Sequence, residues 1–453
     1  VKEDPAGPGQ AALTSHTNDW HLANPEKESI TVVLHSASNL PSTRKGNVPH
    51  PYVIVKTKEE EDSKQSAQAV THVSAQPTYA PTWEERVTVE IDSIKAGEED
   101  VSLTVADKDT KEILAKYNIP VKYLRPFHHY HCALVLPRKK DQTGTKLYAS
   151  ILRKRSLIPR YAGVNYTGLE VFLKGINEPL AQPGGKVKAV ARIVNNIGAY
   201  TREMQTRLPD APAVPLTVVN FPDPIMEDFD VPRVNNHGYP QVTPFRGPPE
   251  QPTWNTSFLF QGRDGATAFS DDTALLIEYY KSTSGEDLEG KSTFLGYSVL
   301  PLTNRVYRKL VADSSRSGIR VENLPIQDTP MKTTSGGFPT VQLGLQLINS
   351  ERPDTFLTSS TTNGLPILDP ELVGELGTIK EPWTRPTSKN EQKTSSARDS
   401  LEKFLPDLIL RRNLAGRIQG FQCNDEYLIA NSFSPFLAIT ATLSQDLRAT
   451  SDS

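Results

Sequence analysis

The sequence predicts an all-β protein: two consecutive eight-stranded antiparallel β-sandwiches between a polar N-terminal arm and a long polar C-terminal tail. Three observations predict it. Short β-branched runs recur roughly every 12–20 residues with Pro, Gly or Asp between them. Hardly any helical periodicity interrupts them, and the rhythm occurs twice. The chain of 453 residues is too long for one compact core. Its apolar content of 37% lies below the usual ~45–50%, so part of it is predicted to stand outside any core.

Residues 1–28 are polar and rich in Gly, Pro, Asn and Ser, and read as a disordered arm. The first sandwich spans 29–157. Its strands are predicted at Ile30–Leu34, Tyr52–Lys56, Val70–Ser74, Arg86–Ile91, Val101–Val105, Asn118–Val121, His131–Leu136 and Leu147–Leu152. A basic linker, 158–166, precedes the second sandwich, 167–350. There the strands are Leu169–Leu173, Val187–Val194, Leu216–Asn220, Ser257–Gln261, Ala274–Tyr280, Leu295–Leu300, Ile319–Val321 and Val341–Ile348. The insertion 208–252 holds eleven prolines; because Pro cannot donate to a ladder, it is placed on the surface. The tail, 351–453, is rich in Ser, Thr, Pro and charge, and is expected to be largely disordered. One short helix is predicted over 399–416. Asp399 and Glu402 are spaced as a capping box, and Leu401, Phe404, Leu405 and Leu408 fall on one face. Pro406 interrupts it and Gly416 follows it. It serves either as an incidental turn or as a partner-docking motif.

Net charge is −3, so no global field favours nucleic acid or an anionic membrane, and such attraction must come from local patches. Only Cys132 and Cys423 are present, which excludes a disulfide framework and a cysteine-rich zinc module and suits a cytosolic setting. No apolar run reaches the ~18–20 residues that span a bilayer, and Val1 to Asn24 lacks the apolar region of a signal peptide.

The two halves share phrases. Pro81-Thr82-Trp83-Glu84 and Pro252-Thr253-Trp254-Asn255 each precede a strand, and Tyr117-Asn118-Ile119-Pro120 loosely matches Tyr297-Ser298-Val299-Leu300-Pro301. Two copies of one module account for this. In the first half, Ala37-Ser38-Asn39-Leu40-Pro41, Pro51-Tyr52-Val53-Ile54-Val55, Pro81-x-Trp83 and Leu103-x-Val105-x-Asp107-x-Asp109 resemble the C2 domain family. The second half keeps only Pro-x-Trp-Asn and Phe294-Leu295-Gly296.

The resemblance implies that calcium ligands come from the first and third loops. Calcium takes six to eight oxygens, several of them carboxylate. Loop three offers Asp107 and Asp109, with Glu112 as a third candidate. In loop one the family's two ligand positions fall on Arg44 and His50, and a guanidinium supplies charge of the wrong sign and no acceptor. Two readings follow: Asp107 and Asp109 are ion-paired with Arg44 or Lys45 and merely tie loops together, or a weak, incomplete calcium site survives. No other cofactor is expected. In the second half Tyr279 and Lys281 stand where acids would be, and Glu286, Asp287 and Glu289 read as a solvated loop.

Arg138, Lys139, Lys140, Arg153, Lys154, Arg155 and Arg160 form the main candidate surface for anionic phospholipid, with Lys186, Lys188 and Arg192 a lesser one; the alternative is a solvated linker or a buried inter-domain ion network. His128-His129-Tyr130-His131-Cys132 has too few nearby ligands for zinc, Gly184-Gly185-Lys186 lacks P-loop spacing, and no Gly-x-Ser-x-Gly elbow occurs. The expectation is a non-catalytic adaptor, peripheral to a membrane, with protein partners and no nucleic acid. A degenerate C2 half, a divergent second half and a polar tail together resemble the C2-domain proteins that accompany the sperm CatSper channel, which implies an ion-channel complex as partner and the flagellum as location. The rival is a calcium- and phospholipid-regulated sensor of the synaptotagmin type.

Overall fold

Alternating apolar residues make the first set of strands: β1 (Lys27–Ser38), β2 (Pro51–Thr57), β3 (Ala69–Val70), β4 (Thr82–Asp92), β5 (Asp100–Asp107), β6 (Ile113–Pro120), β7 (His129–Arg138) and β8 (Asp141–Arg155). A single turn, α1 (Lys58–Asp62), follows β2 and is closed by a Thr57–Glu60 capping box. The computed structural model describes residues 21–67, 69–138, 141–182, 185–206, 214–233, 235, 237–244, 247–282 and 293–377. Two sheets, ordered β4-β1-β8-β7 and β3-β2-β5-β6, face each other. Ile30, Val32 and Leu34 meet Val53, Val55, Leu103 and Val105 between them. Each such side chain removed from water contributes about 1.5–3 kcal/mol before the entropy of ordering it is counted.

The second set is β9 (Gly168–Ile176), β10 (Lys186–Val194), β11 (Thr217–Asn220), β12 (Gln241–Val242), β13 (Thr253–Gln261), β14 (Ala274–Ser282), β15 (Thr293–Pro301), β16 (Ile319–Pro325) and β17 (Thr340–Ile348). Without β11, its sheets run β13-β9-β17-β16 and β12-β10-β14-β15. That is the order of the first sandwich, strand for strand. The shared Trp phrase has a structural counterpart. Glu84 and Asn255, each just after the Trp, have φ of 50° and 43°, and both ladders slip register there, between Leu34 and Ser36 opposite β4 and between Thr253 and Thr256. The chain is therefore all-β with two sandwiches of one topology. Among the described residues helices are few and short: α2 (Ile197–Thr206), α3 (Asn304–Leu310), α4 (Ser359–Asn363) and α5 (Pro370–Gly377) follow α1.

Three expectations about the connections differ from what is observed. First, the run 216–220 is a strand, but it belongs to the other sandwich. β11 pairs in parallel with β7, Thr217 opposite Cys132 through Asn220 opposite Val135, and extends the first sandwich's sheet to β11-β7-β8-β1-β4. The third strand of the second sandwich is β12 instead. Pro215 and Pro222 bracket β11, which suits a short edge strand. The insertion is thus no surface excursion: Val219, Phe221, Phe229 and Val231 enter the first core. Phe221 meets Tyr117 edge-on with centroids 5.1 Å apart, and the Tyr130 hydroxyl donates to the Phe229 carbonyl at 3.2 Å.

Second, the end of the polar arm is docked, since Leu22 is buried and the Ala23 N–H donates to the Arg155 carbonyl. Third, the segment after β17 is folded as far as α5. Phe356, Leu357, Leu365, Leu368, Leu372 and Val373 are all buried, so its apolar residues outweigh its polar composition. Ile158, in the expected linker, is also buried and joins Leu22, Phe127, Leu259, Ile348 and Phe356 in one cluster between the halves. The predicted helix 399–416 and Cys423 lie outside the described residues.

Candidate functional site: the loop corner and the joint between the sandwiches

Loop one leaves β1 and loop three leaves β5, and adjacent ends of β2 and β5 bring them together: Pro51 pairs with Asp107. Asp107 is buried. Its Oδ1 accepts the His50 N–H at 2.7 Å, and its Oδ2 accepts both the N–H and the hydroxyl of Thr110 at 2.8 Å. Burial pushes this carboxyl up, but the bonds from Thr110, His50 and the Asp109 N–H outweigh it and hold the group below the usual aspartate range. Asp109 accepts from, or pairs with, His50 Nδ1 at 2.8 Å. Glu112 Oε2 accepts the Arg44 N–H at 2.8 Å, with the largely exposed Arg44 guanidinium 3.9 Å from Oε1. All five residues named from the sequence are thus brought together, in pairs other than those expected. Arg44 goes to Glu112, His50 goes to Asp109, and the backbone goes to Asp107. Among the described residues no three His, Cys, Asp or Glu side chains gather as a metal cage.

The first sandwich thus brings its first and third loops together on an Asp-x-Asp pair. Residues 28–133 match the family model of the C2 domain. The first sandwich is thus similar to the C2 domain over those residues. Among solved structures, the leading C2 domain of plant extended synaptotagmin 1 is 20% identical, with 28% of this chain and 94% of that chain covered and a TM-score of 0.24. The tandem C2 domains of extended synaptotagmin 2 are 11% identical, with 78% and 100% covered and a TM-score of 0.24. Human GIVD cytosolic phospholipase A2 is 15% identical with a TM-score of 0.24, and 33% of its chain is covered by 72% of this one. At this level of superposition they add nothing to the fold derived above. No helix among the described residues is long and apolar enough to cross a membrane.

The basic residues of the first sandwich and its linker divide by depth. Arg153 does not face outward as a lipid surface requires. It is buried, with Nε donating to Glu28 Oε2 at 2.6 Å and Nη1 donating to the carbonyls of Val121 and Leu124. Arg155, two residues on, sends Nε to the other Glu28 oxygen at 3.0 Å and stays half-exposed. Arg138 and Arg160 are exposed, and Lys154 is half-buried. Lys139 and Lys140 lie outside the described residues. In the second sandwich Arg192 is internal and paired with Glu278 at 3.2 Å, which removes it from the surface.

Lys188 is also turned inward, toward Glu84 of the first sandwich. The left-handed backbone at Glu84 re-aims this carboxylate off the sheet. There it meets His35 at 3.0 Å and Lys188 at 3.4 Å. Nearby, Arg125 Nη2 donates to Asp264 across the joint at 2.7 Å. Sequence reading missed Glu28, Glu84 and Asp264. No local pattern marks them, because each has a partner more than a hundred residues away along the chain.

Proposed function

We propose that this chain is a non-catalytic C2 adaptor that docks protein partners or an anionic membrane largely without calcium. The observation that carries the reading is Asp107. Both its oxygens are engaged by three protein donors at 2.7–2.8 Å, while Glu112 and Asp109 hold Arg44 and His50. A calcium ion would have to break these bonds, stand beside a guanidinium, and find most of its six to eight oxygens elsewhere. The residues present do not fit a resident ion.

Exposed Arg44, Lys45, Lys108 and Lys111 at the corner, with Arg138, Arg155 and Arg160, supply positive charge to an acidic partner without a metal. The layout extends the proposal to delivery or assembly of an ion-channel complex in the sperm flagellum, as for the CatSper-associated C2 proteins it resembles. The test is a calcium titration of the full chain by calorimetry, repeated with phosphatidylserine vesicles. The adaptor reading expects a melting temperature unchanged by calcium or chelator, and any vesicle binding to fall with salt alone. A calcium-dependent rise abolished by Asp107→Asn with Asp109→Asn would replace it with the calcium-regulated sensor.

A further inference from the structure

We propose that the joint between the two sandwiches is an acid-sensitive lock, closed near neutral pH and loosened below it while each sandwich stays folded. Four histidines of the first half are held against the second. His131 Nε2 bonds the Pro240 carbonyl at 2.9 Å and its Nδ1 bonds Ser150 Oγ at 2.8 Å. Ser150 Oγ also bonds His35 Nε2 at 2.8 Å. The line continues through Glu84 to Lys188, so it begins and ends in the second half of the chain. His21 Nε2 bonds Ser257 Oγ at 2.7 Å, and Ser257 donates to Glu170 Oε1 at 2.6 Å. His128 stands edge-on to Tyr239 with centroids 5.1 Å apart. His128 and His129 line a cavity of ≈ 20 Å³ between the halves with Gln261 and Asp264. Gln261 Oε1 and Asp264 Oδ1 have no hydrogen-bond partner among the described residues, and the space suits one water molecule.

Of these rings, His131 makes its two contacts in the neutral form, whereas His35 donates to Ser150 and Glu84, and His21 donates to Ser257. Because Pro240 offers a carbonyl, His131 Nε2 carries the proton and Nδ1 must accept from Ser150. A second proton on Nδ1 turns that acceptor into a donor and adds a charge beside His35 and Arg192. His21 packs against the Phe356 ring and 3.9 Å from Glu170, with Lys154 as its cationic neighbour. His128 faces Arg125, Arg263 and His131, and His129 faces the other histidines and Lys154. Burial accordingly pushes His131 down to about 4 and His21 down to about 3. An opened joint would take up protons below 6.5 that the closed joint refuses, so closure is lost as pH falls from 6.5 toward 4.

Glu170 acts in the opposite sense. Burial raises it to about 7, so it gains a proton in the closed joint and favours closure as pH falls. Asp264 is likewise raised by burial against the pull of Arg125, and Glu84 stays ionised. Each group shifts the balance by at most about tenfold per pH unit. Four lowered histidines, His21, His128, His129 and His131, against two raised acids, Glu170 and Asp264, leave the balance toward opening by about tenfold per unit or more.

The test is hydrogen exchange on the full chain at pH 7 and pH 5.5, corrected for intrinsic rate. Peptides covering 21–26 and 237–244 report on the joint, and those covering β5 and β14 serve as references. The lock expects opening at the joint to rise about tenfold or more relative to the references, and His21→Gln with His131→Gln to reduce that rise. Equal joint protection at both pH values overturns the proposal. So does parallel opening of β5 and β14, which means global acid unfolding, or a pH response unchanged in the variant. If the variant does not fold, the ratio of joint to reference opening in the unaltered chain decides.

Discussion

Lys188 of the second sandwich and Glu84 of the first lie 3.4 Å apart, nitrogen to oxygen, in a setting where the lysine side chain is 10% exposed and the glutamate 29%. Burial raises the Glu84 carboxyl, but His35 and Lys188 together hold it down at about 2. Glu84→Gln keeps the shape and removes the charge, and is expected to lower stability by about 1–3 kcal/mol at pH 7 in urea unfolding. Its folded value is depressed, so its contribution is complete above 4.5 and disappears as pH falls toward about 2. The gap between the variant and the unaltered chain should narrow over that window. A gap independent of pH would show that the charge is not what matters.

Phe229→Ala removes an aromatic side chain that only the insertion supplies to the first core. A loss of about 3–5 kcal/mol is expected from transfer and cavity terms. Trp83 lies in that core, so its fluorescence should report the change. A loss confined to probes in the second sandwich would contradict the placement of this ring.

Much of the fold was legible because strands advertise themselves by alternation, and because Pro-x-Trp recurs before β4 and β13. Sheet membership was not. The run at 217–220 reads as a strand from its own residues, yet only its pairing with Cys132 to Val135 decides which sandwich owns it. The corner was legible as a group: Arg44, His50, Asp107, Asp109 and Glu112 do converge. Their pairing was not, since spacing says nothing about which carboxylate takes backbone donors. Arg153 was misread for a different reason. Arg153 and Arg155 lie on one face of β8, and their depth along the strand, which composition does not show, decides which is enclosed.

Arg153 and Arg155 share Glu28, whose side chain is 1% exposed, but only Arg153 is itself enclosed. Arg153→Met should therefore cost about 3–5 kcal/mol, because Glu28 keeps a buried charge with one weaker partner. Arg155→Ala, at a half-exposed position, should cost less than about 1 kcal/mol. Chemical denaturation of the two variants side by side tests the difference. Equal costs would place both guanidiniums in the same environment.

Asp107→Asn separates a structural carboxylate from a metal ligand. An amide must point NH₂ at one of its present donors, so a loss of about 1–3 kcal/mol is expected even in chelator. A variant as stable as the unaltered chain without calcium, and weaker only with it, would restore the ligand role.

Parallel strand β11 links the modules in a way that covalent order conceals. Its residues are translated with the second module and complete the first, so a fragment cut after residue 157 lacks one of its own walls. Any module put in place of the leading one would have to carry a cavity that accepts Phe221 and Phe229. The place to divide this polypeptide is therefore not the seam its repeats suggest.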